Sequence, residues 1–181
     1  MAADTVAVMD VLDINNAHIV GASMGGMIAQ VVAARHPQRT RSLVSIMSTT
    51  GSPQLPPPSA EASESLLGVT TDDGAAAERR EAMVARGFYP QSMGRQMMAV
   101  FKTGDRSDAV ATITAPTLVV HGAKDTLLPP PHGAHTAQLI AGSELVVYDS
   151  MGHNIPDDVL PKLLQEMTLH MKAADTAAMT P

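Results

Sequence analysis

Four short apolar runs punctuate the chain: AHIVG at 17–21, SLVSIM at 42–47, TLVVH at 117–121 and ELVVY at 144–148. Each has the length and β-branched content of a strand. None alternates polar with apolar residues, which is the pattern of strands covered on both faces of a parallel sheet. Between the runs the spacing turns helical. Val8 and Leu12 stand four apart behind Asp4, a candidate cap, and predict a helix over 5–12. Residues 24–35 run without a breaker and stop at His36-Pro37, because a residue before proline is pushed out of the α region. Leu160, Leu163, Leu164, Met167 and Met171 recur at helical spacing, with Lys162, Glu166 and Lys172 on other faces. The order is helix, strand, helix, strand, insertion, strand, helix, strand, helix. That is the order of an α/β protein with a parallel sheet and right-handed crossovers.

The insertion differs from its surroundings. It carries Pro53 and the run Pro56, Pro57, Pro58, turns acidic and Ala-rich to Ala85, and ends in a Met-rich helix over 91–102. It reads as a helical cap over 53–112, set between two halves of a core at 1–52 and 113–172, with a flexible tail at 173–181. The composition of 52–78 also fits a linker without a packed structure.

Composition narrows the partners. A chain of 181 residues suits one domain, and its 45% apolar content is enough to fill a core. Zero cysteine excludes a disulfide scaffold, a zinc-thiolate site, an iron–sulfur cluster and a cysteine nucleophile. A net charge of −6 with two Phe, two Tyr and no Trp argues against nucleic acid, which is bound by phosphate neutralisation and base stacking. The first residues carry acids where a signal peptide needs positive charge, and no apolar run approaches a transmembrane length. The expectation is a cytoplasmic protein that binds neither nucleic acid nor membrane. Thirteen Met are expected to fill core volume that aromatics usually occupy.

Candidate chemistry begins at Gly21-Ala22-Ser23-Met24-Gly25, a GxSxG between an apolar run and a helix. Chance supplies the pattern about 0.06 times in a chain of this length. Its placement matters more: a sharp strand-to-helix turn between small residues holds a serine hydroxyl out above a sheet. Asp125 then follows the third run and His153 the fourth. Ser, Asp and His each lie just past the carboxyl end of a strand, which puts all three on the rim where parallel sheets bind ligands. Asp149 is the competing acid, its nearness to His153 favouring a local turn contact. Asp157 and Asp158 read as the opening turn of the last helix. Structural roles are the default for His18, His36, His121 and His170. His132 and His135 offer two imidazoles without a third ligand, so no metal is expected.

GASMGGMIAQ at 21–30, IMSTTGSPQLPPP at 46–58, TLVVHGAKDTLLP at 117–129 and MGHNIP at 151–156 resemble the α/β-hydrolase-fold serine esterases. The resemblance is to the bacterial polyketide methylesterase-like and haloperoxidase-like group, over about residues 4–172. It implies a truncated α/β-hydrolase, with about four parallel strands, flanking helices and a short helical cap. It also implies Ser23 as nucleophile, Asp125 as acid and His153 as base, with no cofactor. Family members carry further strands and an HG-containing loop ahead of the helix that opens this sequence. The expected oxyanion hole therefore keeps one donor, the Met24 N–H, and loses the other, which predicts a weak esterase best suited to activated esters.

The expectation is a hydrolase of small or medium carboxylic esters, working through an acyl-enzyme. Met93, Met97, Met98 and Phe101 are candidate acyl-pocket residues, although the same spacing describes a helix packed on the sheet. The strand that opens at Ala17 and ends at Gly21 would form an uncovered edge, and a homodimer through it is expected. Two alternatives stand beside this reading. One is a weak or inactive hydrolase remnant acting as an interaction module. The other is haloperoxidase or aminopeptidase activity on the same trio, the latter with Glu61, Glu64, Asp72, Asp73, Glu78 and Glu81 as candidate partners for a substrate amine.

Overall fold

A computed structural model of the protein describes residues 1–66, 81–87, 89 and 91–179. Asp72, Asp73 and Glu78 of the acidic stretch lie outside the described residues. The chain divides into two compact units, Met1–Pro58 with Asp105–Pro181, and Ser59–Gly104.

The first unit is an α/β layer structure. Its elements are α1 (Ala2–Val11), β1 (Ala17–Ala22), α2 (Met24–Arg35), a 3₁₀ turn (Pro37–Arg39), β2 (Thr40–Ile46) and, after the insertion, α5 (Ser107–Ala111), β3 (Thr117–Gly122), α6 (Pro131–Leu139), β4 (Glu144–Tyr148) and α7 (Leu160–Met179). The strands form one sheet in the order β1-β2-β3-β4, every neighbouring pair parallel. Both faces are covered. One buries Met9, Ile19, Val32, Leu43, Val110 and Ile140, and the other Val44, Ile46, Leu118, Val120, Met151 and Leu163. Leu43 and Val44 enter opposite layers because successive strand residues point to opposite faces. Burial on both faces holds for β2 and β3, whereas the outer strands β1 and β4 are only partly covered.

Three expectations are corrected. The helix α1 begins at Ala2, and its buried residue is Met9; Val8 and Leu12 are exposed. Ala2 and Val6 join Met9 against the core, a stripe at positions 2, 6 and 9 that fits a helical face as well as the stripe through Val8 and Leu12. The tail at 173–181 is not frayed from its start, since α7 continues to Met179 with Ala174 buried. Among the described methionines only Met9, Met47 and Met151 are buried, so small aliphatic residues rather than Met fill the core.

The loop after β2 carries four buried polar side chains, Ser48, Thr49, Thr50 and Ser52. His132 lies 2.7 Å from Thr49 Oγ1 through Nδ1 and 2.9 Å from the Pro56 carbonyl through Nε2. A carbonyl only accepts, so Nε2 carries the proton and the Thr49 hydroxyl donates to Nδ1. Arg106 donates its backbone N–H to the Thr50 carbonyl at 2.8 Å and Nη2 to the Thr49 carbonyl at 3.0 Å. His135 Nδ1 is 3.1 Å from the Thr50 hydroxyl.

The second unit contains α3 (Ala60–Leu66), a helical stretch over 81–85, and α4 (Ser92–Thr103). No residue of α4 is buried. Among the described residues, no helix is long and apolar enough to cross a membrane.

Candidate active site

Ser23 caps the N-terminus of α2 at φ 53°, ψ −120°, a backbone conformation costly for any residue but glycine. Its surroundings hold it there. The Ser23 N–H donates to the Ile46 carbonyl at 2.9 Å, and the Ser23 carbonyl accepts from Gly26 N–H at 3.0 Å, Met27 N–H at 3.2 Å and the Ser48 hydroxyl at 2.9 Å. The glycines on either side permit the approach of strand and helix. A Cβ on Gly21 would sit 2.1 Å from the Gly25 carbonyl oxygen, and one on Gly26 would meet Ser48 Cβ at 2.6 Å. No side chain fits at Gly21.

Asp125 and His153 occupy neighbouring loops beyond β3 and β4. Backbone bonds tie those loops together, Ala123 N–H to the Tyr148 carbonyl and Lys124 N–H to the Met151 carbonyl, both at 3.0 Å. The structure brings the three candidate residues into one line. His153 Nδ1 is 2.8 Å from Asp125 Oδ2, and His153 Nε2 is 2.8 Å from Ser23 Oγ. A carboxylate only accepts, so the proton sits on Nδ1 and the free lone pair on Nε2 faces the serine hydroxyl. Asp125 is 3% exposed. Burial opposes its ionisation, but hydrogen bonds from His153 and the Leu128 N–H outweigh that and hold its carboxyl below the usual range. Asp149 is exposed, and it is Asp125 that meets His153.

Met24 opens α2, and its N–H is among the first helical donors, which have no intrahelical acceptor and sit at the positive end of the helix dipole. Met93, Met97, Met98 and Phe101 lie on α4 in the second unit, Met98 and Phe101 well exposed and Met97 half-buried. Both ring nitrogens of His132 are occupied by Thr49 and Pro56. Asp157 and Asp158, expected in the opening turn of the last helix, lie in the turn that precedes it, and Asp158 accepts from the Ser150 hydroxyl at 2.9 Å. Ser48, which donates to the Ser23 carbonyl, is the residue at the site that the sequence left unmarked; His121, expected to be structural, is fully buried and bonded to the Leu128 carbonyl. The only signal for His121 is its position four residues before Asp125.

The profile of the alpha/beta hydrolase fold matches residues 1–76. A pimeloyl-[acyl-carrier protein] methyl ester esterase of Neisseria meningitidis is 30% identical, over 84% of this chain and 67% of its own length. The chain belongs to the α/β-hydrolase family. The rhodomycin D methylesterase of Streptomyces peucetius is 27% identical across 96% of this α/β hydrolase and 73% of its own length. That alignment runs over 218 positions, so the relative has insertions within the matched span that these 181 residues lack. The meta-cleavage product hydrolase of Pseudomonas fluorescens superposes with a TM-score of 0.74 at 23% identity, covering 94% of this chain and 70% of that one. The shared α/β-hydrolase fold thus spans β1 to β4 and the helices that flank them.

Proposed function

We propose that the protein is a serine hydrolase of small or medium carboxylic esters. The observation that carries the reading is the continuous relay from Asp125 through His153 to Ser23, two contacts of 2.8 Å ending on a serine at a strained turn. In this mechanism His153 Nε2 takes the Ser23 proton as Oγ attacks the ester carbonyl. The same proton passes to the leaving alcohol, and water then attacks the acyl-Ser23 with His153 again as base. Asp125 keeps the imidazole in the tautomer that makes both steps possible. The Met24 N–H, at the α2 N-terminus, is the donor aimed at the developing oxyanion. Two relatives named as methyl ester esterases support the ester class.

The test uses a fluorophosphonate probe and a short p-nitrophenyl ester. The wild type labels and hydrolyses; Ser23→Ala loses the label and at least about 10³-fold in kcat. A folded wild type that takes no label sinks the reading.

Assembly is a separate expectation. β1 is an outer strand with Val20 43% exposed, which supports pairing with a second copy through its free edge. Light scattering at micromolar concentration is expected to give twice the chain mass; the mass of one chain removes the dimer.

A further inference from the structure

His121 is the most deeply buried histidine of the chain, with no exposed surface, at a strand position preceded by Val119 and Val120. Its Nε2 lies 2.7 Å from the Leu128 carbonyl. Because that oxygen can only accept, Nε2 holds the proton. Among the described residues the other nitrogen, Nδ1, has no hydrogen-bond partner, and it abuts Gly133, where a Cβ would come within 2.6 Å of it. A buried nitrogen without a partner penalises folding. A Leu or Phe would fill this strand position without that penalty, so what the imidazole uniquely supplies is the N–H at its other end.

That N–H closes a ring around the acid. Leu128 is held from two sides: its N–H donates to Asp125 Oδ1 at 2.9 Å, and its carbonyl accepts from His121. Leu127 N–H adds a second donor to Oδ1 at 3.0 Å. With Oδ1 held by two amides, Oδ2 faces His153 Nδ1 at 2.8 Å. His121 Nε2 is also 3.6 Å from Oδ2, beyond a hydrogen bond but close enough for its N–H dipole to favour the carboxylate. The turn over 125–128 thus has one end on β3 through His121 and the other on the carboxylate that orients His153.

We propose that His121 is a positioning residue for the hydrolytic relay: it anchors the 125–128 turn so that Asp125 Oδ2 stays aimed at His153 Nδ1. The inference rests on the serine-hydrolase reading for its kinetic consequence, but its geometric content stands apart from turnover.

The test compares the wild type with His121→Leu, which removes the donor, and His121→Gln, which keeps an N–H donor within reach. Two readouts are taken on each folded protein: kcat and KM for a p-nitrophenyl ester, and the downfield proton resonance of the His153–Asp125 hydrogen bond in unmodified protein. His121→Leu is expected to lower kcat about 10- to 100-fold with KM nearly unchanged, the size of effect a displaced catalytic group produces, and to shift or broaden the resonance. His121→Gln is expected to recover most of both. A folded His121→Leu protein with wild-type kcat and an unmoved resonance overturns the proposal, and so does a His121→Gln protein as impaired as His121→Leu. If neither variant folds, ¹⁵N shifts of wild-type His121 decide: the Nε2–H tautomer supports the anchor, and Nδ1–H overturns it. A wild type that takes no fluorophosphonate, with the resonance shifted in His121→Leu and recovered in His121→Gln, fails the hydrolase reading and leaves the positioning intact.

Discussion

Asp125 shows how much one carboxylate can carry. Three hydrogen bonds reach it, from His153, Leu127 and Leu128, and against the cost of burial those from His153 and Leu128 hold its carboxyl ionised to lower pH than usual. A depressed folded-state pKa adds stability that is fully present above the unfolded value of about 3.9 and is lost as pH falls through the folded value. Asp125→Asn is therefore expected to flatten the acid limb of a stability-versus-pH curve below about pH 4, measured by urea midpoints. The same change should lower esterase kcat about 10⁴-fold, since an amide leaves the imidazole in the wrong tautomer. The trio itself was legible because each member ends an apolar run, in the chain order Ser, Asp, His. Ser48 and His121 were not. Their parts depend on where the Ser23 carbonyl and the 125–128 turn come to lie in space, and no spacing encodes that.

Among the elements, the four strands match their apolar runs to within two residues, because a buried parallel strand writes itself as an unbroken β-branched run. Helix faces were harder to read. In α1 the stripe through positions 2, 6 and 9 and the one through Val8 and Leu12 are equally periodic, and only the neighbouring α2 and β1 decide which is buried. The end of α7 was missed for a related reason. Its last residues are mostly alanine, which forms helix readily but carries too little apolar surface to announce a buried face. Yet Ala174 is buried, and Asp175 stands 3.3 Å from both His18 Nε2 and Arg41 Nη1. The exposed Arg41–Asp175 ion pair contributes little. Deleting residues 173–181 is nevertheless expected to cost about 1–3 kcal/mol through the lost packing, read from the urea midpoint, whereas a loose tail would cost nothing.

At the scale of the molecule, the two chain crossings between the units are secured on the same short stretch of the larger one. Pro56, on the way out, is bound by His132, which also holds Thr49; Arg106, on the way back, is bound to Thr49 and Thr50. The larger unit therefore owns both anchors and all three relay residues. In engineering terms, the segment from Ser59 to Gly104 is a cassette: an exchangeable insert whose sockets belong to the host. Replacing it with a short Gly/Ser linker is expected to leave a cooperatively melting protein that still takes a fluorophosphonate on Ser23, as checked by thermal unfolding and mass spectrometry. An insert of another sequence seated on the same sockets is expected to leave the Asp125–His153–Ser23 contacts of the larger unit unchanged.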